Sequence, residues 1–388
     1  MRKQIKILKL MPTLNPSWGG PVKAIIDSTI YLSKQGLKVD IVTCDPINSN
    51  FHNLNQSKII NTGPSFFGNF LFSPKLFFWL LRNRKKYDYF IVHAIWDFKN
   101  ILARFLLKKK YSLFIHGSLH PSEAKRGLFK TLKKRFYWWL IERKNLLNSR
   151  SILLTSSMEI KQLNKTFVNT SKIKKTIIGF GILKKEFNKT QTLKKFYKKF
   201  PYLKKKDFFL YIGRIHKQKG CEIIVESVNL IKDKFKKKIL IMGPFSNLLY
   251  ELYLRNLVKK YNLENQIFFA DAEFGDIKWG ALYASKAMIS ATHGENFGIS
   301  FVESLSLGKP VLTTFKVNIY KDILKYNAGL ISKDKAKDIS KILLKFDLFS
   351  KKKIKEFSKN SLLCFRENFD LTLKKNNLAS YIKNEVKK

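Results

Sequence analysis

The chain has 388 residues, 45% hydrophobic and 14% aromatic, which is enough to build apolar cores for two domains. Its 75 Lys and Arg against 28 Asp and Glu give a formal net charge of +47, which implies either an anionic partner or a lysine-biased genome. Three scattered cysteines, Cys44, Cys221 and Cys364, exclude a disulfide framework and lack zinc or redox spacing, so a reduced, cytoplasmic protein is expected.

In "MRKQIKILKLM" the apolar run is interrupted by Lys6 and Lys9 and no small-residue cleavage site comes after it, so a first strand is expected rather than a signal peptide. The turn-rich "PTLNPSWGG" leads into "PVKAIIDSTIYLSKQG", with apolar residues at helical spacing, Pro21 at a first helical position and Gly36 at the stop. With "LKVDIVT" this makes a βαβ unit. The apolar stretch at 66–81 is broken by Pro74 and Lys75 and falls short of the roughly 20 residues a spanning helix needs, so no transmembrane segment is expected. "YFIVHAIW", "YSLFIHG" and "SILLTSS" read as further short buried strands separated by helices, giving a parallel sheet covered on both faces.

Near residue 180 the pattern pauses, with ten lysines between 184 and 206. It restarts at "DFFLYIG" and continues through "KKILIMG", "QIFFADA", "KAMISAT", "KPVLTT" and "AGLIS". The expected architecture is α/β, with two Rossmann-like domains: 1–183, 184–365, and a C-terminal helix within 366–388 packing back toward the first. Ligands of such sheets bind beyond the carboxyl ends of the strands, here in a central cleft faced by both sheets, so the loops after strands carry the chemistry.

Three loops suit a phosphate. Gly19 and Gly20 precede a helix start, where N–H groups and the helix dipole favour an anion; the competing reading is a tight turn only. "GRIHKQKG" places Gly213, Arg214 and Lys219 in one short loop, a fork and a point charge that suit a diphosphate, although chance basic pairs are common in so basic a chain. "GENFGISFVESLSLG" sets Glu295 before, and Glu303 inside, a helix running from Gly298 to Gly308. Carboxylates cannot hold phosphate but can accept hydrogen bonds from hydroxyls of a sugar or ribose attached to it. The alternative is that Glu295 caps the helix and Glu303 is solvated surface.

Taken together, these stretches resemble the retaining glycosyltransferases of the GT-B fold, the group 1 or family 4 enzymes. "GENFGISFVESLSLGKPVLTT" is similar to their Glu-x(7)-Glu motif, "YIGRIHKQKG" to their donor loop, and "GGPVKAIIDSTIYLSKQGLKVDIVT" to their N-terminal glycine loop, helix and strand. The order is kept over nearly the whole chain. "FIHGSLHPSEAKRGLFKTLKKRFYWWLIERKNLLNSRSILLTSSMEI" looks like the lipopolysaccharide, capsule and exopolysaccharide branch. The resemblance implies that His116 faces the transferred sugar and Gly20 lies near the diphosphate. It further implies that Arg214 and Lys219 bind the diphosphate, Glu295 the sugar hydroxyls and Glu303 the ribose, with Phe297, Gly298 and Ile299 offering backbone near the phosphates. The chain departs from the family at "IIGFGIL", where Gly179 and Phe180 replace a Pro-Asn turn and Ile182 or Leu183 an acidic residue.

The implied reaction is sugar transfer from a nucleotide-diphosphate donor with retention, without a cofactor or metal, since no Asp-x-Asp motif or His/Cys cluster is present. The expected acceptor is a saccharide or polyprenyl-linked sugar. Residues 121–150 hold nine Lys and Arg against two Glu around "FYWW". That suits peripheral attachment to an anionic membrane surface at the inner face of the cytoplasmic membrane; alternatively Phe136, Trp138, Trp139 and Leu140 are core. A nucleic-acid-binding protein is the main alternative of another class, but the basic residues are spread out and no recognition module appears, so no specific nucleic acid is expected. A catalytically silent scaffold, and epimerisation or phosphorolysis on the same fold, remain as further alternatives.

Overall fold

The structure is a computed structural model that describes residues 4–119, 128–166, 168–373 and 378–388. Contacts divide the chain into unit 1, Met1–Leu183 with Lys374–Lys388, and unit 2, Lys184–Leu373.

Unit 1 is built on seven parallel strands: β1 (Lys6–Met11), β2 (Lys38–Thr43), β3 (Ile59–Asn61), β4 (Tyr89–His93), β5 (Tyr111–Phe114), β6 (Ile152–Leu154) and β7 (Lys175–Ile177). Their order is β3-β2-β1-β4-β5-β6-β7. The central strands are buried on both faces, which is why they read as largely apolar runs, interrupted in β1 by Lys6 and Lys9 and in β5 by Ser112. The helix Gly20–Lys34 carries proline in its first turn and is followed by Gly36 at φ 79°, the left-handed stop its sequence predicts. Lys9, an apparent interruption of β1, is fully buried: its Nζ donates to Ile25 O (3.3 Å), Ser28 Oγ (2.7 Å) and Thr29 Oγ1 (3.0 Å), tying β1 to that helix. The helix Leu378–Lys387 belongs to this unit, with the hydroxyls of Tyr381 and Ser112 2.9 Å apart.

Unit 2 has six parallel strands: β8 (Phe208–Ile212), β9 (Lys238–Met242), β10 (Ile267–Ala270), β11 (Ala287–Ile289), β12 (Val311–Thr314) and β13 (Gly329–Ser332), in the order β10-β9-β8-β11-β12-β13. Apolar clusters lie on both faces, one around Ile224, Leu254 and Phe346, the other around Phe196, Leu210 and Trp279. In each sheet the order reverses once, between β1 and β4 and between β8 and β11. Those reversals open crevices at the carboxyl ends of the strands.

The aromatic stretch near 138 divides the two readings that its sequence left open. A π-helical turn, Trp138–Glu142, rotates the helix so that Trp138 and Glu142 are buried. Leu132, Phe136, Trp139 and Leu140 are exposed, Phe136 by 66% and Trp139 by 68%. Part of the basic stretch, residues 121–127, lies outside the described residues. Among the described residues no helix is long and apolar enough to cross a membrane.

Candidate active site

In unit 2 the loops after β8 and β11 sit side by side because those strands are neighbours at the reversal. Gln218 O accepts from His293 N (2.9 Å) and Thr292 Oγ1 (3.1 Å), stitching the first loop to the second. Gly220 has φ +66°, and a Cβ there would lie 2.2 Å from Ala291 O, so only glycine allows this approach. The seam brings together two residues 76 positions apart: Lys219 Nζ lies 2.5 Å from Glu295 Oε2. Arg214 stands exposed on the same loop as Lys219, with Tyr211 OH donating to its carbonyl at 2.8 Å. Its guanidinium makes no ion pair among the described residues.

Glu295 does not cap the following helix. Its N–H donates to Lys316 O and its carbonyl accepts from Asn318 N, which locks the loop against residues 316–318. The helix runs Ile299–Ser306 behind Gly298, whose φ of +72° and contact with the Phe301 ring require glycine. Phe301 N donates the first bond of that turn to Gly298 O, leaving the N–H groups of Ile299 and Ser300 ahead of it. Phe297 is buried, packing edge-on against Phe369. Gly213 closes β8, its N–H donating to Met242 O.

Glu303 is 1% exposed, so the solvated-surface reading fails. Lys278 Nζ lies 2.6 Å from its Oε2, and neither carboxylate oxygen has a well-aligned hydrogen bond among the described residues. Lys278, on the helix Gly275–Ala284, carries no motif and was not visible in the sequence.

In unit 1, Gly19 has φ +76° and stands before the first helix with open space around its Cα; Gly20 is the first residue of that helix. Asp45 holds the loop after β1 by accepting from Thr13 Oγ1 (2.5 Å) and Leu14 N (2.8 Å). His116 follows β5 at φ 47°, and Ala94 and Trp96 follow β4 at φ 66° and 78°, a cluster of left-handed non-glycine residues at the sheet reversal. His116 Nε2 and His93 Nδ1 share a hydrogen bond of 2.9 Å. The hydrogen-bonded His93 and His116 rings are nearly coplanar, Phe114 lies nearly parallel to the His116 ring at 5.1 Å, and Phe180 meets it edge-on at 6.0 Å. Burial, with Lys99 and Lys9 nearby, pushes the His116 imidazole down to about 3, so it is neutral at physiological pH. Phe180, which stands where the family turn has asparagine, is thus a wall of the histidine site; Leu183 N donates to Asp27 Oδ2 at 3.2 Å. Sequence reasoning missed His93 and Phe180 as parts of this site.

Residues 193–361 match the family model Glycosyl transferases group 1, and residues 18–176 match Glycosyltransferase Family 4. The chain is 25% identical over 290 residues to the capsular polysaccharide biosynthesis glycosyltransferase CapM of Staphylococcus aureus, covering 64% of this chain and 73% of that protein. Among solved structures, a glycosyltransferase from Rickettsia africae matches with a TM-score of 0.76 at 18% identity, covering 99% of both chains. Anabaena Alr3699/HepE, solved in complex with UDP and glucose, matches with a TM-score of 0.72 at 14% identity, covering 99% of this chain and 98% of that one. With a family 4 segment in unit 1 and a group 1 segment in unit 2, the chain belongs to the glycosyltransferases and has the GT-B fold.

Proposed function

We propose that the chain is a retaining, nucleotide-sugar-dependent glycosyltransferase that transfers a sugar to a saccharide or polyprenyl-linked acceptor in cell-surface polysaccharide synthesis. The observation that carries this is the contact of Lys219 with Glu295, with an unpaired Arg214 on the same loop. A donor can exchange that ion pair for better partners: its diphosphate takes Lys219 and Arg214, and its sugar hydroxyls donate to Glu295. Glu303 accepts from the ribose once Lys278 swings aside. The relatives support both ends of the reading, since HepE was solved with UDP-glucose and CapM is named for capsular polysaccharide.

In the proposed reaction the bond from the anomeric carbon to the diphosphate breaks and the acceptor oxygen bonds on the same face. The acceptor proton passes to the departing phosphate oxygen. Arg214, Lys219 and the helix start at Ile299 stabilise the charge that grows on the leaving group, so the scheme requires neither a metal nor another cofactor. In unit 1, the proposed partner of His116 is a sugar and that of Gly20 a phosphate. Exposed Leu132, Phe136, Trp139 and Leu140, beside Lys133, Arg135 and Lys144, support peripheral association with an anionic leaflet at the cytoplasmic face. Each basic residue there adds about 1 kcal/mol.

The test is transfer from a panel of UDP-, GDP- and ADP-sugars to lipid-linked acceptors, with the product's anomeric configuration read by proton NMR. One donor class used with retention is expected; inversion would overturn the mechanism. Salt-sensitive nucleic-acid binding with no turnover would favour the nucleic-acid reading.

A further inference from the structure

We propose that His93 is a positioning residue that fixes the tautomer of His116, so that His116 offers an N–H from Nδ1 to the oxygen of a ligand. The proposal rests on the reading of His116 as the sugar-facing histidine.

The two rings meet through His93 Nδ1 and His116 Nε2 at 2.9 Å, so one of those nitrogens carries the hydrogen and the other accepts it. Burial, with His116 and the amines of Lys9 and Lys99 nearby, drives the His93 imidazole well below its ordinary value, so both rings are neutral and each carries one hydrogen. That leaves two arrangements. If His116 donated, the His93 hydrogen would sit on Nε2, which is buried and without a partner among the described residues. An orphaned, fully buried N–H there is the costlier of the two arrangements, since buried donors without a partner are rarer than under-satisfied acceptors. If His93 donates from Nδ1, its buried Nε2 is left as a bare lone pair with no hydrogen to satisfy. His116 Nε2 then accepts, and its hydrogen must lie on Nδ1, which no described residue occupies.

The ring cannot turn to escape this assignment. The hydrogen bond joins His93 and His116 edge to edge and nearly coplanar, their centroids 5.2 Å apart at 18°; the Phe114 ring lies 5.1 Å from His116, nearly parallel to it, and Phe180 closes an edge. His116 therefore acts as a fixed hydrogen-bond donor to an oxygen on the sugar, not as the base that accepts the acceptor's proton. That specifies a hydroxyl or ring oxygen at the position it faces and disfavours a substituent that presents only a donor.

The test is nitrogen-15 NMR of histidine-labelled protein. The chain has 6 histidines, and His116→Gln assigns the signals by loss. In wild type we expect His116 Nδ1 to carry the hydrogen and Nε2 to show the shift of a bare nitrogen. The reverse pattern overturns the proposal in wild type alone, whether or not any variant folds. His93→Asn, whose amide can still donate, should keep the pattern and most of the turnover. His93→Leu should lose the pattern and lower kcat about 10- to 100-fold with little change in donor KM. Unchanged kcat in a folded His93→Leu protein would also overturn it. A His116→Gln variant with wild-type turnover would instead sink the assignment of His116 itself, independently of the tautomer.

Discussion

Replacing Lys9 by methionine probes how unit 1 holds its first strand against its first helix. The amine is fully buried and bonded only to neutral oxygens, and burial pulls it down to about 7. In the unfolded chain the same lysine keeps its proton to about pH 10.4. The unfolded state therefore holds one more proton between those values, and stability rises with pH across that window and is lost as pH falls through 7. The slope is about 1.4 kcal/mol per pH unit, or roughly 3.5 kcal/mol between pH 7 and pH 10. Methionine removes this dependence and leaves no orphaned hydroxyl, because Ser28 Oγ and Thr29 Oγ1 also donate to Ile25 O at 3.1 and 2.7 Å. Urea unfolding followed by tryptophan fluorescence suits the question, since Trp18, Trp79, Trp96, Trp138 and Trp139 lie in unit 1 and Trp279 in unit 2. The stability of wild type relative to Lys9→Met should climb with pH. A difference that stays flat from pH 7 to 10 would refute the buried neutral amine.

Glu142 gives the opposite sign: burial, with the nearby Asp97 charge, raises its carboxyl to about 8, so the folded chain keeps a proton that the unfolded chain sheds near pH 4.3. Its contribution is present below that range and is lost as pH rises through 8, so Glu142→Gln should gain on wild type between pH 5 and 8 in the same urea assay; a pH-independent difference contradicts this. Arg214→Ala should lower kcat by about 10²- to 10³-fold, or about 2.7–4 kcal/mol, with an unchanged melting temperature because the side chain is exposed. Gly220→Ala should destabilise unit 2 by about 1–3 kcal/mol, since the new Cβ meets Ala291 O in a left-handed backbone; an unchanged Tm would contradict the seam between the two loops.

The sequence showed most of what is buried on two faces or placed by glycine. β4 and β8 are nearly continuous apolar runs because helices cover both sides, and the loops around Gly213, Gly220 and Gly298 stand out because their backbones need residues without a Cβ. The edge strands β3 and β7 were not legible: each has three residues, half-buried or exposed, with no apolar run. Lys9 looked like a flaw in β1 because its partners lie 16 to 20 residues away, on a helix whose facing side sequence alone does not reveal. His93 was hidden inside "YFIVHAIW", where a histidine reads as filler until β5 brings His116 beside it. Glu303 was singled out as a carboxylate, but its pairing with Lys278 depends on a residue 25 positions upstream, on another helix. Such pairings are properties of the strand order, which spacing does not encode.

The most direct test of the central claim is calorimetric titration of UDP, GDP and ADP into wild type and Lys219→Ala. The account predicts saturable binding of one nucleotide to wild type, at least tenfold weaker in the variant because a charge-assisted contact to the diphosphate is lost. Equal affinity in both proteins, or no binding of any nucleotide to folded wild type, would contradict the assignment of the loops after β8 and β11 as the donor site.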